Sequence, residues 1–153
     1  MINEMKITGV APQIASLTFA YLIIAAIIDS LNSPLFNITN ESAATLAIAG
    51  IILIVLGAAM VLYCGRKLLK SFKNDKLMTD GLYKIFRNPM YAAYLLFIIP
   101  GICLILNSWL VLSTILVNYI LFKILIQKEY KYLEEKFGDA YKKYLSAVWL
   151  KFL

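Results

Sequence analysis

The sequence predicts an all-α, polytopic membrane protein with four transmembrane helices, followed by cytoplasmic amphipathic helices at the C-terminal end. Three observations predict this. First, 61% of the 153 residues are hydrophobic, against about 45–50% in an ordinary soluble domain. Second, four stretches approach the roughly 20 apolar residues that cross a bilayer. Third, Lys and Arg gather in two blocks that flank those stretches, where they meet anionic headgroups.

The first span covers about 10–28, with Pro12 in the first turn, where a missing N–H costs little. The second covers about 43–64, with Ser42 as a plausible N-cap. Ala43, Ala47, Gly50, Gly57 and Ala58 give it a side of small residues suited to close helix packing. The third covers about 90–106 and the fourth about 109–126. Only Asn107 and Ser108 separate them, so a tight antiparallel hairpin is expected. Beyond it, Ile126, Tyr130, Leu133, Phe137, Tyr141, Tyr144 and Val148 recur at steps of three or four, a helical stripe. Gly138-Asp139 interrupts that stripe, Gly as a helix C′ residue and Asp as the next N-cap. Two cytoplasmic helices, about 123–137 and 139–150, are therefore expected to fold back on the membrane surface or on the central segment. The whole chain, 1–153, reads as one membrane-embedded domain, with 65–89 and 127–153 forming a cytoplasmic region.

The basic residues set the orientation. Arg66, Lys67, Lys70, Lys73, Lys76, Lys84 and Arg87 fall between spans two and three, seven more follow from Lys123, and Lys6 lies in the N-terminal tail. The 29–41 loop and the 107–108 turn carry none. Both termini are thus expected in the cytoplasm, in a cell membrane. The net charge of +6 is spent on lipid surfaces, and nucleic acid is not an expected partner. The absence of histidine excludes imidazole acid–base chemistry and His metal ligation, and no metal is expected. Cys64 and Cys103 lie in apolar stretches and read as small buried hydrophobes.

Residues 81–94, GLYKIFRNPMYAAY, place polar, cationic and aromatic groups at the mouth of span three. Gly81 permits a turn that Thr79 or Asp80 can cap. Pro89 fits the first helical turn and holds Asn88 extended. Tyr83, Arg87, Asn88 and Tyr91 then converge on a helix N-terminus, which suits a carboxylate. An interfacial belt of Tyr and Arg is the other reading. Glu129, on the Ile126 side of the stripe, leans towards the protein, or is an ordinary surface charge. Glu135 pairs with Lys131 on a solvated face. A cation and a carboxylate offered to one pocket would suit a zwitterion.

Two stretches together resemble a known pattern. LMTDGLYKIFRNPMYAAY is similar to Leu-Val-Thr-x-Gly-x-Tyr-x-x-x-Arg-His-Pro-x-Tyr. KEYKYLEEKFGDAYKKY is similar to Glu-Glu-x-x-Leu-x-x-x-Phe-Gly-x-x-Tyr-x-x-Tyr. Both patterns belong to the isoprenylcysteine carboxyl methyltransferase and phospholipid methyltransferase family of integral membrane enzymes. The resemblance covers about residues 76–148 and implies an S-adenosylmethionine site at the cytoplasmic face. It assigns Lys76, Leu77, Met78, Tyr83, Asn88, Pro89, Met90, Tyr91 and Glu129 to the cofactor, with Arg87, Asn88 and Tyr91 at the reacting centre. The implied acceptor is lipophilic or lipid-anchored, an isoprenylcysteine-like carboxylate, a lipid headgroup or a thiol. It would come sideways from the bilayer, past Tyr94.

The sequence departs from the pattern at three points. Asn88 stands for the usual His, Tyr130 for the second Glu, and Leu125 where some members carry a substrate-contacting Arg. An amide still donates to a carboxylate or a hydroxyl but does not titrate. Two rival readings follow: a non-catalytic four-helix membrane protein, transporter-like, or a member that binds the cofactor without catalysis. Coupled transporters hold ionisable groups at mid-membrane, whereas the polar residues deep in span four are Asn118 and Tyr119.

Overall fold

The computed structural model describes residues 9–74 and 76–151. Lys6, counted above for orientation, lies outside them. The described residues are helical with no strands: α1 (Ala11–Leu31), α2 (Ala43–Lys73), a 3-10 turn (Gly81–Lys84), α3 (Pro89–Ala93), α4 (Ile99–Ile105), α5 (Trp109–Leu112) and α6 (Thr114–Ala147). Three helices are long and apolar enough to cross a membrane: Ala11–Leu31, Ala43–Ser71 and Trp109–Ala147. The segment expected as span three is a shorter apolar helix, Pro89–Ile105.

That segment is not uniform. Tyr94–Ile98 forms a π-helical turn between α3 and α4. Pro100 supplies the cause, because its ring clashes with the carbonyl four residues back, at Leu96, and it has no N–H to donate there. A wider turn relieves that clash. Proline also fixes two helix starts, Pro12 in the first turn of α1 and Pro89 in that of α3.

α2 packs along α3, the π-turn and α4, while α1 packs along α5 and α6. The small side of α2 explains the first contact. A Cβ on Gly50 would stand 2.5 Å from the Gly101 carbonyl oxygen, and one on Gly101 would stand 2.7 Å from that of Gly50. Only glycine at both positions lets the backbones approach this closely. α1 is pinned by polar bonds spaced along its length. Asn118 Nδ2 donates to Thr18 Oγ1 (2.8 Å), Tyr21 shares a hydrogen bond with Ser113 (2.8 Å), and Ser108 Oγ donates to Asp29 (2.6 Å). In an apolar surround such bonds register one helix on another. Most of the remaining α1 and α2 surface is exposed Leu, Ile, Val and Phe, as a bilayer-facing wall requires.

The Asn107-Ser108 hairpin forms as expected. Asn107 takes a left-handed φ of 51°, and Ser108 caps α5 by accepting from the Val111 N–H. Cys64 and Cys103 are buried free thiols. The break at Gly138 is also present, with φ 47° and ψ −121° inside the α6 run. Past it, Tyr141, Tyr144 and Val148 pack with Leu77, Leu133, Phe137 and Leu145. The C-terminal segment then lies along the loop before α3. The Leu150 N–H donates to Ile85 (2.7 Å), and the Arg87 N–H donates to Leu150 (3.1 Å). One expectation is corrected: Asp80 precedes the 3-10 turn, but its side chain makes no capping bond there. Gly81, at φ +65°, makes the turn by conformation alone.

Candidate functional site

The loop after α2 sets the first group of side chains. The Lys76 N–H donates to the Ser71 carbonyl, and Ser71 Oγ donates back to the Lys76 carbonyl at 2.6 Å. That closed turn directs Lys76, Leu77 and Met78 to a cavity of about 710 Å³. The 3-10 turn adds Tyr83, whose backbone carbonyl accepts from the Tyr144 hydroxyl at 2.8 Å. Asn88 precedes α3 with non-helical φ −131° and ψ 70°, so Arg87, Asn88, Pro89, Met90 and Tyr91 reach the same cavity. Tyr94, one turn on, lines it from the π-turn, and Glu129 lines it from α6. All eleven candidate residues from the sequence therefore meet around one space.

One end of this cavity is polar. Arg87 Nη2 donates to the Tyr141 hydroxyl at 2.6 Å, and its guanidinium carbon lies 3.2 Å from the centre of the Tyr130 ring. This is a close cation–π stack. Arg87 Nε is buried with no partner among the described residues. The Tyr91 hydroxyl donates to Glu129 Oε2 at 3.4 Å, and the Val10 backbone N–H favours the charged form of the same carboxylate. The apolar part of α6 ends at Ile126, so Glu129 lies beyond the membrane-spanning part. Burial pushes its carboxyl above the ordinary range, and the Val10 and Tyr91 donors and the Arg87 charge pull it partly back. Burial also raises Tyr83 and Tyr144 well above the ordinary phenol range, so both stay neutral donors. Glu135, by contrast, is half exposed and sits 3.9 Å from Lys131 on the outer face.

The other end of the cavity runs between helices. Ile14, Thr18, Phe19 and Leu22 of α1 face Ile98, Ile99 and Ile102, with Asn118 at depth. Nothing in the residue pattern of α1 marks it in advance as a wall of this space. Nor did the sequence single out Tyr141 and Tyr144 as partners of Arg87 and Tyr83, although both belong to the helical stripe.

Two of the three departures from the expected pattern touch each other. Asn88 Nδ2 donates to the Tyr130 hydroxyl at 2.6 Å. The amide and the phenol form a neutral pair beneath Arg87.

A family model, phospholipid methyltransferase, matches residues 39–140. The chain belongs to this family. No curated protein and no solved structure matches it. Membership implies a membrane methyltransferase, a class whose substrates are lipid-like. The phospholipid methyltransferase match spans α2 through most of α6, so it contains Lys76 to Tyr91 and Glu129. α1, which closes the cavity, lies outside it, as do Tyr141 and Tyr144.

Proposed function

We propose that the protein transfers a methyl group from S-adenosylmethionine to a lipophilic acceptor at the cytoplasmic membrane interface. The observation that supports this most is the single cavity, which joins a charged end at Arg87, Asn88 and Glu129 to an apolar end between α1 and α4. Its volume falls in the range of about 300–1,000 Å³ typical of small-molecule sites.

The donor set fits the cofactor. Glu129 suits an ammonium group. Arg87, with its unpartnered buried Nε, and Asn88 suit a carboxylate or a ribose hydroxyl. The tyrosine rings suit a sulfonium cation. When bound, S-adenosylmethionine supplies an activated methyl group for direct displacement. The task left to the chain is alignment and exclusion of water. Glu129 and Arg87 hold opposite charges apart, Tyr91 orients Glu129, and Leu77, Met78, Pro89 and Met90 close apolar surface around the site. Tyr94 stands where the polar end meets the apolar one, on the acceptor's path from the bilayer. A carboxylate or thiolate acceptor needs no base. An amine headgroup must shed a proton, and Glu129 is the one carboxylate lining the cavity among the described residues.

In this reading Pro89–Ile105 is a fourth, short span, the stripe beyond Ile126 forms cytoplasmic amphipathic helices, and both termini face the cytoplasm of a cell membrane. Membranes containing the protein, incubated with methyl-labelled S-adenosylmethionine, test it. Label should pass to an organic-extractable product only when the protein is present. Cofactor binding without transfer would mark a non-catalytic member, and neither binding nor transfer would overturn the proposal.

A further inference from the structure

The start of α1 lies against Glu129, outside the family match and outside both sequence motifs. Val10 is 5% exposed and packs with Tyr91, Phe122 and Ile126, so α1 is seated on the same stretch of α6 that carries Glu129. The N–H groups of a helix's first turn have no intrahelical partner, and the helix end carries partial positive charge. Here the Val10 N–H acts on the Glu129 carboxylate, favouring its charged form. Gly9 adds a separate constraint. Its φ of +52° is one that L side chains rarely adopt. A Cβ on Gly9 would also stand 3.0 Å from Glu129 Cδ and 3.6 Å from Oε1, and would press directly on Oε2.

We infer that Gly9 and Val10 are positioning residues for Glu129: the Val10 N–H aims the carboxylate into the cavity, and glycine at position 9 leaves the space that the carboxylate occupies. This rests on the reading of Glu129 as the carboxylate that holds the cofactor's ammonium group. The other titratable groups acting with Glu129 are Tyr91 from α3, Arg87 from the loop before it, Tyr83 from the 3-10 turn, and Tyr130 and Tyr141 from α6 itself. Among these groups, Tyr91 donates a hydrogen bond to the carboxylate. The same α1 lines the apolar end of the cavity through Ile14, Thr18 and Phe19. The start of α1 thus meets Glu129, while the helix itself forms part of the wall along which an acceptor chain would lie.

The test is a double-mutant cycle on the full-length protein in detergent, with S-adenosylmethionine affinity read by calorimetry. Gly9→Ala and Gly9→Asn both bring a Cβ against Glu129, but Asn tolerates positive φ much better than Ala. Both should weaken binding about tenfold, and neither should weaken it more than about twofold in a Glu129→Ala background, because residues acting through one another are non-additive. Wild-type affinity in Gly9→Asn would assign any loss in Gly9→Ala to backbone strain and overturn the inference. An equal loss in both backgrounds would also overturn it. A second measurement needs no Gly9 variant and no cofactor. Hydrogen exchange at the Val10 amide should accelerate on Glu129→Ala, and unchanged exchange would overturn the inference even if the wild type bound no cofactor. In that last case the functional reading fails separately.

Discussion

Glu129→Gln separates charge from packing at the candidate site. A glutamine keeps the size of the side chain, and its carbonyl oxygen can still accept from the Tyr91 hydroxyl. What it loses is the negative charge facing a ligand ammonium. A charge-assisted hydrogen bond in a buried setting contributes about 1.5–3 kcal/mol. At 1.4 kcal/mol per decade that is roughly a 10- to 150-fold rise in Kd. Glu135 is the matched control, on the same helix and of the same chemistry. It is 47% exposed and sits 3.9 Å from a Lys131 that is 80% exposed, an exposed i,i+4 pair of about 0.3–0.5 kcal/mol. Glu135→Ala should leave S-adenosylmethionine affinity within about twofold, because so small a term does not reach the cavity. Calorimetry of purified protein in detergent, titrated with S-adenosylmethionine, gives both values. Equal effects from Glu129→Gln and Glu135→Ala, or none from either, would refute the assignment of Glu129 to the ligand.

The pH dependence has a worked sign. Burial raises the Glu129 pKa, so its charge is lost while the pH is still above the ordinary glutamate range, and cofactor affinity should fall there, with Glu129→Gln showing a flat profile across the same window. Its contribution to folding runs the other way: the raised folded pKa favours the protonated form, so that contribution is full below the unfolded pKa and disappears as pH rises through the folded one. Gly50→Ala should destabilise the α2–α4 contact by about 1–3 kcal/mol through overpacking, whereas Gly65→Ala, with open space around its Cβ, should stabilise α2 by about 0.5–1 kcal/mol; thermal unfolding in detergent reads both, and equal shifts would remove the close-packing argument. Single-cysteine probes in intact cells test orientation: a probe replacing Asn37 should react with an impermeant reagent from outside and one replacing Lys73 should not, and the reverse pattern would invert the topology.

How much of this was legible in the sequence depends on how locally each feature is encoded. The stretches 76–91 and 129–144 carry their own punctuation, with Gly81 for the turn, Pro89 for the helix start and Gly138 for the break. All three act within a few residues, and all three are where the sequence placed them. The side of Glu129 was readable because the 3.6-residue period ties it to Ile126, which is fully buried. α1 was not readable as a wall of the site. It is apolar nearly all round, so periodicity does not say which face meets protein and which meets lipid. Its partners lie far along the chain, with Thr18 bonding Asn118 and Tyr21 bonding Ser113. The π-turn at Tyr94–Ile98 was hidden for a different reason. Pro100 signals a disturbed ladder, but several local rearrangements satisfy the same missing donor.

The departures at positions 88 and 130 form one structural feature. Taken separately, an amide in place of an imidazole removes a titrating group, and a phenol in place of a carboxylate removes a charge. Taken together, each supplies what the other needs: the Asn88 amide donates to the Tyr130 hydroxyl at 2.6 Å, and the Tyr130 ring takes the face of Arg87 at 3.2 Å. Neither residue changes charge near neutral pH. Burial raises the Tyr130 phenol further from neutrality, and the amide has no proton to gain or lose there. The Arg87 guanidinium is held between the Tyr130 ring and the Tyr141 hydroxyl, with no carboxylate in salt-bridge contact among the described residues. Glu129 is left as the only carboxylate lining the cavity among the described residues. A zwitterionic ligand then has one place for its ammonium group and one for its carboxylate. Swapping both positions back, Asn88→His with Tyr130→Glu, would put a titrating pair beneath Arg87 and give the anionic end of the ligand a competitor.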